Sequence, residues 1–142
     1  MVEKERWDYL VALDDELLRG GVMLSEWCSF IVREADIAFA HGAFLAAILT
    51  TVSAIETYLR TEYSTGQKNT LCELIDQSDM EELLKKDLHQ LRRYRNQWVH
   101  VACPEDDEII LNFPEQFEQE LEMKAIEAVK ILRKTIYNNQ FI

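Results

Sequence analysis

A chain of 142 residues, 48% apolar and 29% charged, fits one globular domain that can bury a core without disulfides or a structural metal. Its net charge of −11 excludes a general nucleic-acid binder, because phosphate contacts need a basic surface; a role directed at RNA would require a local basic site. Two prolines and four glycines favour long helices over many short strands.

The N-terminal MVEKERWDYL is charged and has no apolar h-region, which argues against a signal peptide and for a cytoplasmic chain. A first helix is expected from about Lys4 to Leu18, with Trp7, Leu10, Leu13 and Leu17 on one face and Gly20-Gly21 as its stop. Ser25 is a plausible N-cap for a second helix carrying Trp27, Phe30, Ile31, Ile37 and Ala38. His41-Gly42 should break it. An unbroken helix from Ser25 to Glu62 would be about 57 Å long, more than a domain of this size holds. A third helix then runs from Ala43 to about Tyr63. The apolar-rich stretch Ile37 to Leu59 includes His41 and Glu56, so it reads as a buried hairpin rather than a membrane span.

Residues 64–69 form a loop by composition, followed by a short helix at Thr70–Asp76. A long helix is expected from Asp79 to about Val99, with Ser78 as candidate cap and Glu81 and Glu82 in its first turn. After the loop Pro104–Asp107, the segment Glu108–Asn112 could be briefly extended. Pro114 opens a last helix to about Tyr137, which should bury Phe117, Leu121, Ala125, Ala128 and Leu132. The expected architecture is all-α, an up-and-down bundle of about five helices in one domain, residues 1–142.

Cys28, Cys72 and Cys103 are odd in number, far apart and without a CxxC pair. A zinc or redox motif is therefore not indicated, and buried free thiols are expected. No Glu-x-x-His pairs are present, which rejects a carboxylate-bridged metal bundle. No cofactor and no metal are expected.

Two polar residues interrupt the apolar stripes. On the long helix the stripe Leu84, Leu88, Leu91, position 95, Trp98 stays within about 80° at 100° per residue, and position 95 is arginine. On the third helix the stripe Leu45, Leu49, Val52, position 56, Leu59 is interrupted by Glu56. A buried, unpaired charge costs several kcal/mol. Arg95 and Glu56 are thus expected to face each other across two packed helices, either as a pair fixing register or as part of a site. Glu34 lies near a stripe as a third candidate acid.

His100 ends the same helix, with Asn96 beside Arg95. On a regular helix His100 would point about 140° from Arg95. The two can share a pocket only if the helix ends at Val99 or a second subunit supplies one of them. Lys85, Lys86, Arg92, Arg93 and Arg95, opposed by Asp87 alone, make a local basic patch. His41 and His89 suggest only a turn and a surface face.

The string RNQWVH, Arg95 to His100, resembles the R-x4-6-H signature of HEPN domains, with the polar residue that commonly follows the arginine. The segment ADIAFAHGAFLAAILTTVSAIETYLR, Ala35 to Arg60, is similar to the paired helices that open such domains. The resemblance covers roughly half the chain. It implies a homodimer around the R-x4-H helices, and a metal-independent endoribonuclease of toxin–antitoxin or antiviral type, with a nucleotidyltransferase-like antitoxin as possible partner. It further implies Arg95 and His100 as catalytic residues, Asn96 in support and Glu56 holding Arg95 in place, with Arg92, Arg93, Lys85 and Lys86 binding RNA. Other members keep the fold without activity, so a non-catalytic helical adaptor or dimerisation module is the rival reading.

Overall fold

A computed structural model describes all residues, 1–142. Seven helices form the chain: α1 Glu3–Leu17, α2 Glu26–Ala40, α3 Phe44–Tyr63, α4 Leu71–Gln77, α5 Glu82–Val99, α6 Glu108–Asn112 and α7 Pro114–Ile136. The count is seven where about five were expected: five have fifteen or more residues, and the short α4 and α6 make up the rest. Glu108–Asn112, expected to be extended, is one helical turn leading into α7.

Local signals explain several of the ends. Ser25 caps α2, its Oγ accepting from the Cys28 amide at 3.1 Å. Thr70 and Glu73 form a reciprocal capping box on α4. Pro114 stands at the start of α7, whose acidic first turn and basic last turn complement the helix dipole. Gly42 turns the chain between α2 and α3 at φ +80°, a conformation costly for a side chain bearing Cβ. The Ala43 amide there donates to the Ala38 carbonyl, and Arg6 Nε donates to the Ala40 carbonyl at 2.7 Å.

Two signals act elsewhere than expected. Ser78 ends α4 by donating to the Ile75 carbonyl at 2.7 Å, and Glu81 occupies the N-cap position of α5. Gly20-Gly21 lies beyond the end of α1 at Leu17 and receives the C-terminal tail. Gly21 and Phe141 exchange backbone hydrogen bonds at 2.6 and 2.9 Å, and a Cβ on Gly20 would collide with the Phe141 carbonyl.

α3 is the axle of the bundle. Ala47, Ile48, Thr51, Val52, Ala54, Ile55, Tyr58 and Leu59 are all buried, packed chiefly on α2 and α7. The α2 face that meets it is Cys28, Val32, Ala35 and Phe39, whereas Trp27 and Phe30 are exposed. Small side chains explain this choice of face. Ala35, Ala47 and Ala54 are completely buried, and Cys28 Sγ lies 3.8 Å from the Ala54 carbonyl, so the helices approach closely. On α7 the buried run is Ala125, Ala128, Val129, Leu132 and Ile136, while Phe117 and Leu121 are half-buried because the helix begins beyond the core. Of the three cysteines only Cys28 is buried, contrary to expectation; Cys103 is exposed in the loop after α5.

The buried charge of this fold is Arg133, 3% exposed. Its Nε donates to Asp14 Oδ1 at 2.9 Å, and Nη1 and Nη2 clasp Asp36 at 3.0 and 2.7 Å. The Tyr137 hydroxyl donates to Asp14 at 2.6 Å. This network ties α1, α2 and α7 together and satisfies the guanidinium where an orphaned charge would be strongly destabilising.

Candidate nucleic-acid interface at the end of helix α5

α5 buries Leu84, Leu88, Leu91 and Tyr94, and at 100° per residue Arg95 falls within that arc. It is half-buried because it sits in the last turn, where the bundle opens. Its Nε donates to Asn96 Oδ1 at 2.9 Å. No carboxylate lies within ion-pair distance of it.

The expected Arg95–Glu56 pair does not form. Glu56 sits roughly 120° from the middle of the buried arc of α3, and its carboxylate pairs with Arg60 one turn on, at 3.0 Å. Arg60 also donates to the Asn69 carbonyl at 3.0 Å. The stripe drawn through Leu45, Leu49 and Val52 follows the edge of the buried face, so Glu56 reaches water. Glu34 is exposed.

α5 ends at Val99, meeting one of the two conditions under which Arg95 and His100 could share a pocket. His100 is the C-cap, with φ −129° and ψ 62°, its amide donating to the Asn96 carbonyl at 2.9 Å. Its ring is exposed and makes no hydrogen bond with Arg95. Trp98 is held edge-on by Phe117 at 6.1 Å between ring centroids, which fixes the end of α5 against the start of α7. Beside this contact is a shallow cleft of about 180 Å³ lined by Tyr94, Gln97, Trp98, Val101, Ile110, Phe117 and Glu120. Neither Arg95 nor His100 lines it. Around the same end Val99, Val101, Ile109, Ile110, Leu111 and Phe113 are 45–71% exposed, so six apolar side chains face water close together in the chain.

The basic patch divides into two pairs. Lys85 Nζ lies 3.2 Å from the Asp76 carbonyl oxygen and 3.7 Å from Glu82. Arg92 directs Nε and Nη2 at His89 Nδ1, at 3.3 and 3.2 Å. A guanidinium only donates, so Nδ1 accepts and Nε2–H donates to Asp76 Oδ1 at 2.8 Å. Lys85 and Arg92 are therefore committed within the chain. Lys86 and Arg93, seven residues apart on the outward face of α5, are exposed and have no acidic partner. His89 is no bare surface residue: it joins α4 to α5. The sequence signal for that contact, Asp76 on a short helix and His89 on the next, is too common to single out.

No helix is long and apolar enough to cross a membrane. No family model matches the chain, and no curated protein and no solved structure matches it either.

Proposed function

We propose that this chain is a HEPN-type endoribonuclease that works without a metal, its active site assembled where two copies bring their Arg95–His100 segments together. The observation that carries this reading is Arg95: a guanidinium in the inward-facing stripe of α5, oriented by Asn96 and neutralised by no carboxylate. A structural arginine has its partners, as Arg133 does; Arg95 keeps its charge available for a phosphate.

The chemistry follows from the residues. Attack of the ribose 2′-OH on phosphorus needs a base for its proton, an acid for the departing 5′-oxygen and a cation for the developing negative charge. Imidazole can exchange protons near neutral pH, and guanidinium stays charged while gripping phosphate oxygens. One chain has one such histidine. Two-fold pairing supplies two, and the exposed apolar residues beside His100 offer that pairing a surface to cover. Lys86 and Arg93 would lead the backbone along α5 toward the site. Products are a 2′,3′-cyclic phosphate and a 5′-hydroxyl. Such an enzyme fits a toxin held in check by a nucleotidyltransferase-like antitoxin, acting in the cytoplasm.

The test compares wild type with His100→Ala and Arg95→Met on end-labelled RNA in the presence of chelator. Cleavage leaving cyclic-phosphate ends, lost in both variants with helicity retained, is the expected result. Equal activity in wild type and His100→Ala overturns it. A second reading, a non-catalytic helical adaptor, is favoured by the acidic run Glu105–Glu108 that follows the site closely. It gains if no RNA is cleaved while the pure chain dimerises.

A further inference from the structure

α4 and α5 bring together three donor atoms of different chemistry. Cys72 and Asp76 are four residues apart on α4 and share the face turned toward His89 on α5. Cys72 Sγ lies 3.9 Å from Asp76 Oδ2, His89 Nε2 lies 2.8 Å from Asp76 Oδ1, and all three residues' donor atoms fall within 4.8 Å of one another. Both helices are firmly seated, α4 by buried Leu71, Leu74 and Ile75 and α5 by Leu84 and Leu88, so the spacing is preorganised.

We infer that Cys72, Asp76 and His89 form a binding site for a thiophilic divalent cation of the zinc type. Bond lengths of about 2.0–2.3 Å to N, O and S around a tetrahedral ion put neighbouring ligands roughly 3.3–3.7 Å apart. The two distances to the Asp76 carboxylate, 3.9 Å from sulfur to Oδ2 and 2.8 Å from nitrogen to Oδ1, bracket that range, and the third separation is at most 4.8 Å, so side-chain adjustments of about 1 Å would reach it. One sulfur, one nitrogen and one carboxylate suit zinc, and suit poorly the all-oxygen preferences of magnesium and calcium. Three protein ligands leave a fourth position open, and the exposed Asp76 gives the ion a way in.

The hydrogen bonds also rule out a thiol-protease arrangement. There the imidazole must take the thiol proton on a free nitrogen; here both ring nitrogens are engaged, Nε2 by Asp76 and Nδ1 by Arg92. Metal binding has a defined cost in this setting. The thiol must release its proton, and the imidazole proton must pass from Nε2 to Nδ1, where Arg92 now donates. Arg92 has to turn away, so cation and arginine compete for one histidine. Lys85, bonded to the Asp76 carbonyl, adds a second opposing charge. Thiolate and carboxylate together neutralise the incoming ion.

The experiment is a Co²⁺ titration of the reduced, metal-free full chain, followed by absorption. Expected is one equivalent bound, with a thiolate-to-cobalt charge-transfer band in the near ultraviolet and the intense visible bands of a four-coordinate ion, both abolished by Zn²⁺. Cys72→Ser removes the charge-transfer band, His89→Gln weakens binding by about tenfold or more, and Cys103→Ser changes nothing. Arg92→Ala binds more tightly, which adventitious surface coordination would not show. Circular dichroism checks that each variant is folded. Absence of the band in folded wild type, or the same spectrum and affinity in Cys72→Ser as in wild type, overturns the proposal.

Discussion

Replacing Arg133 by methionine removes the cation between Asp14 and Asp36 while conserving most of the side chain's apolar volume. Asp14 is 39% exposed and can rehydrate; Asp36 is 18% exposed and is left largely desolvated without its two charge-assisted bonds. Breaking a buried ion pair from one side costs about 3–5 kcal/mol, a large share of the stability of about 5–15 kcal/mol typical of a domain. With a urea slope of about 2 kcal/mol per molar, the midpoint should fall by about 2 M. Arg95→Met is the control, because Arg95 bonds only Asn96 and leaves no buried partner orphaned. Its stability should stay within about 1 kcal/mol of wild type. The double variant Arg133→Met with Asp36→Leu should recover most of the single-variant loss, since no uncompensated charge then remains inside. Urea unfolding followed by far-ultraviolet circular dichroism measures all three. An Arg133→Met midpoint equal to that of Arg95→Met, or a double variant no more stable than Arg133→Met alone, refutes the reasoning.

Thiol labelling of the native chain should modify Cys103 first, Cys72 more slowly and Cys28 only on unfolding, as their exposures run in that order; mass spectrometry of timed samples reads it. Burial pushes the Cys28 thiol up to about 11 and the Tyr58 phenol up to about 12. Stability from these two groups is therefore complete below their ordinary ionisation range and is lost as pH rises through those values. Thermal melts should accordingly show a steep alkaline decline, shallower in Cys28→Ala relative to that variant's own neutral value. Gly20→Ala should destabilise the docked C-terminal tail by about 1–3 kcal/mol, because its methyl collides with the Phe141 carbonyl, and amide exchange at Gly21 and Phe141 should speed up. Ile110→Lys should weaken the pairing of two copies proposed above, read as a shift toward monomer in sedimentation velocity without loss of helicity, since Ile110 is 48% exposed beside the end of α5.

The sequence by itself determined the five long helices, the short α4 and the inward-facing position of Arg95, but not the helical turn α6. Apolar spacing, Ser25, Thr70, Gly42 and Pro114 are local signals, and each acts through atoms within a turn or two of itself. The inward-facing register of Arg95 likewise follows from Leu84, Leu88, Leu91 and Trp98 on one helix. Which charges become partners was decided only by the tertiary structure. Arg133 meets Asp14 and Asp36 across 119 and 97 residues of chain. Glu56, read as buried opposite Arg95, turns to Arg60 because α3 is covered on a face offset from its Leu45–Val52 edge. Cys72, Asp76 and His89 share no spacing motif, and they meet because α4 folds back on α5. Helix formation is set by near neighbours along the chain, whereas ion pairs and donor clusters depend on how whole helices rotate and cross. Small residues such as Ala35, Ala47 and Ala54 set that rotation, and their contribution shows only once two helices are laid together.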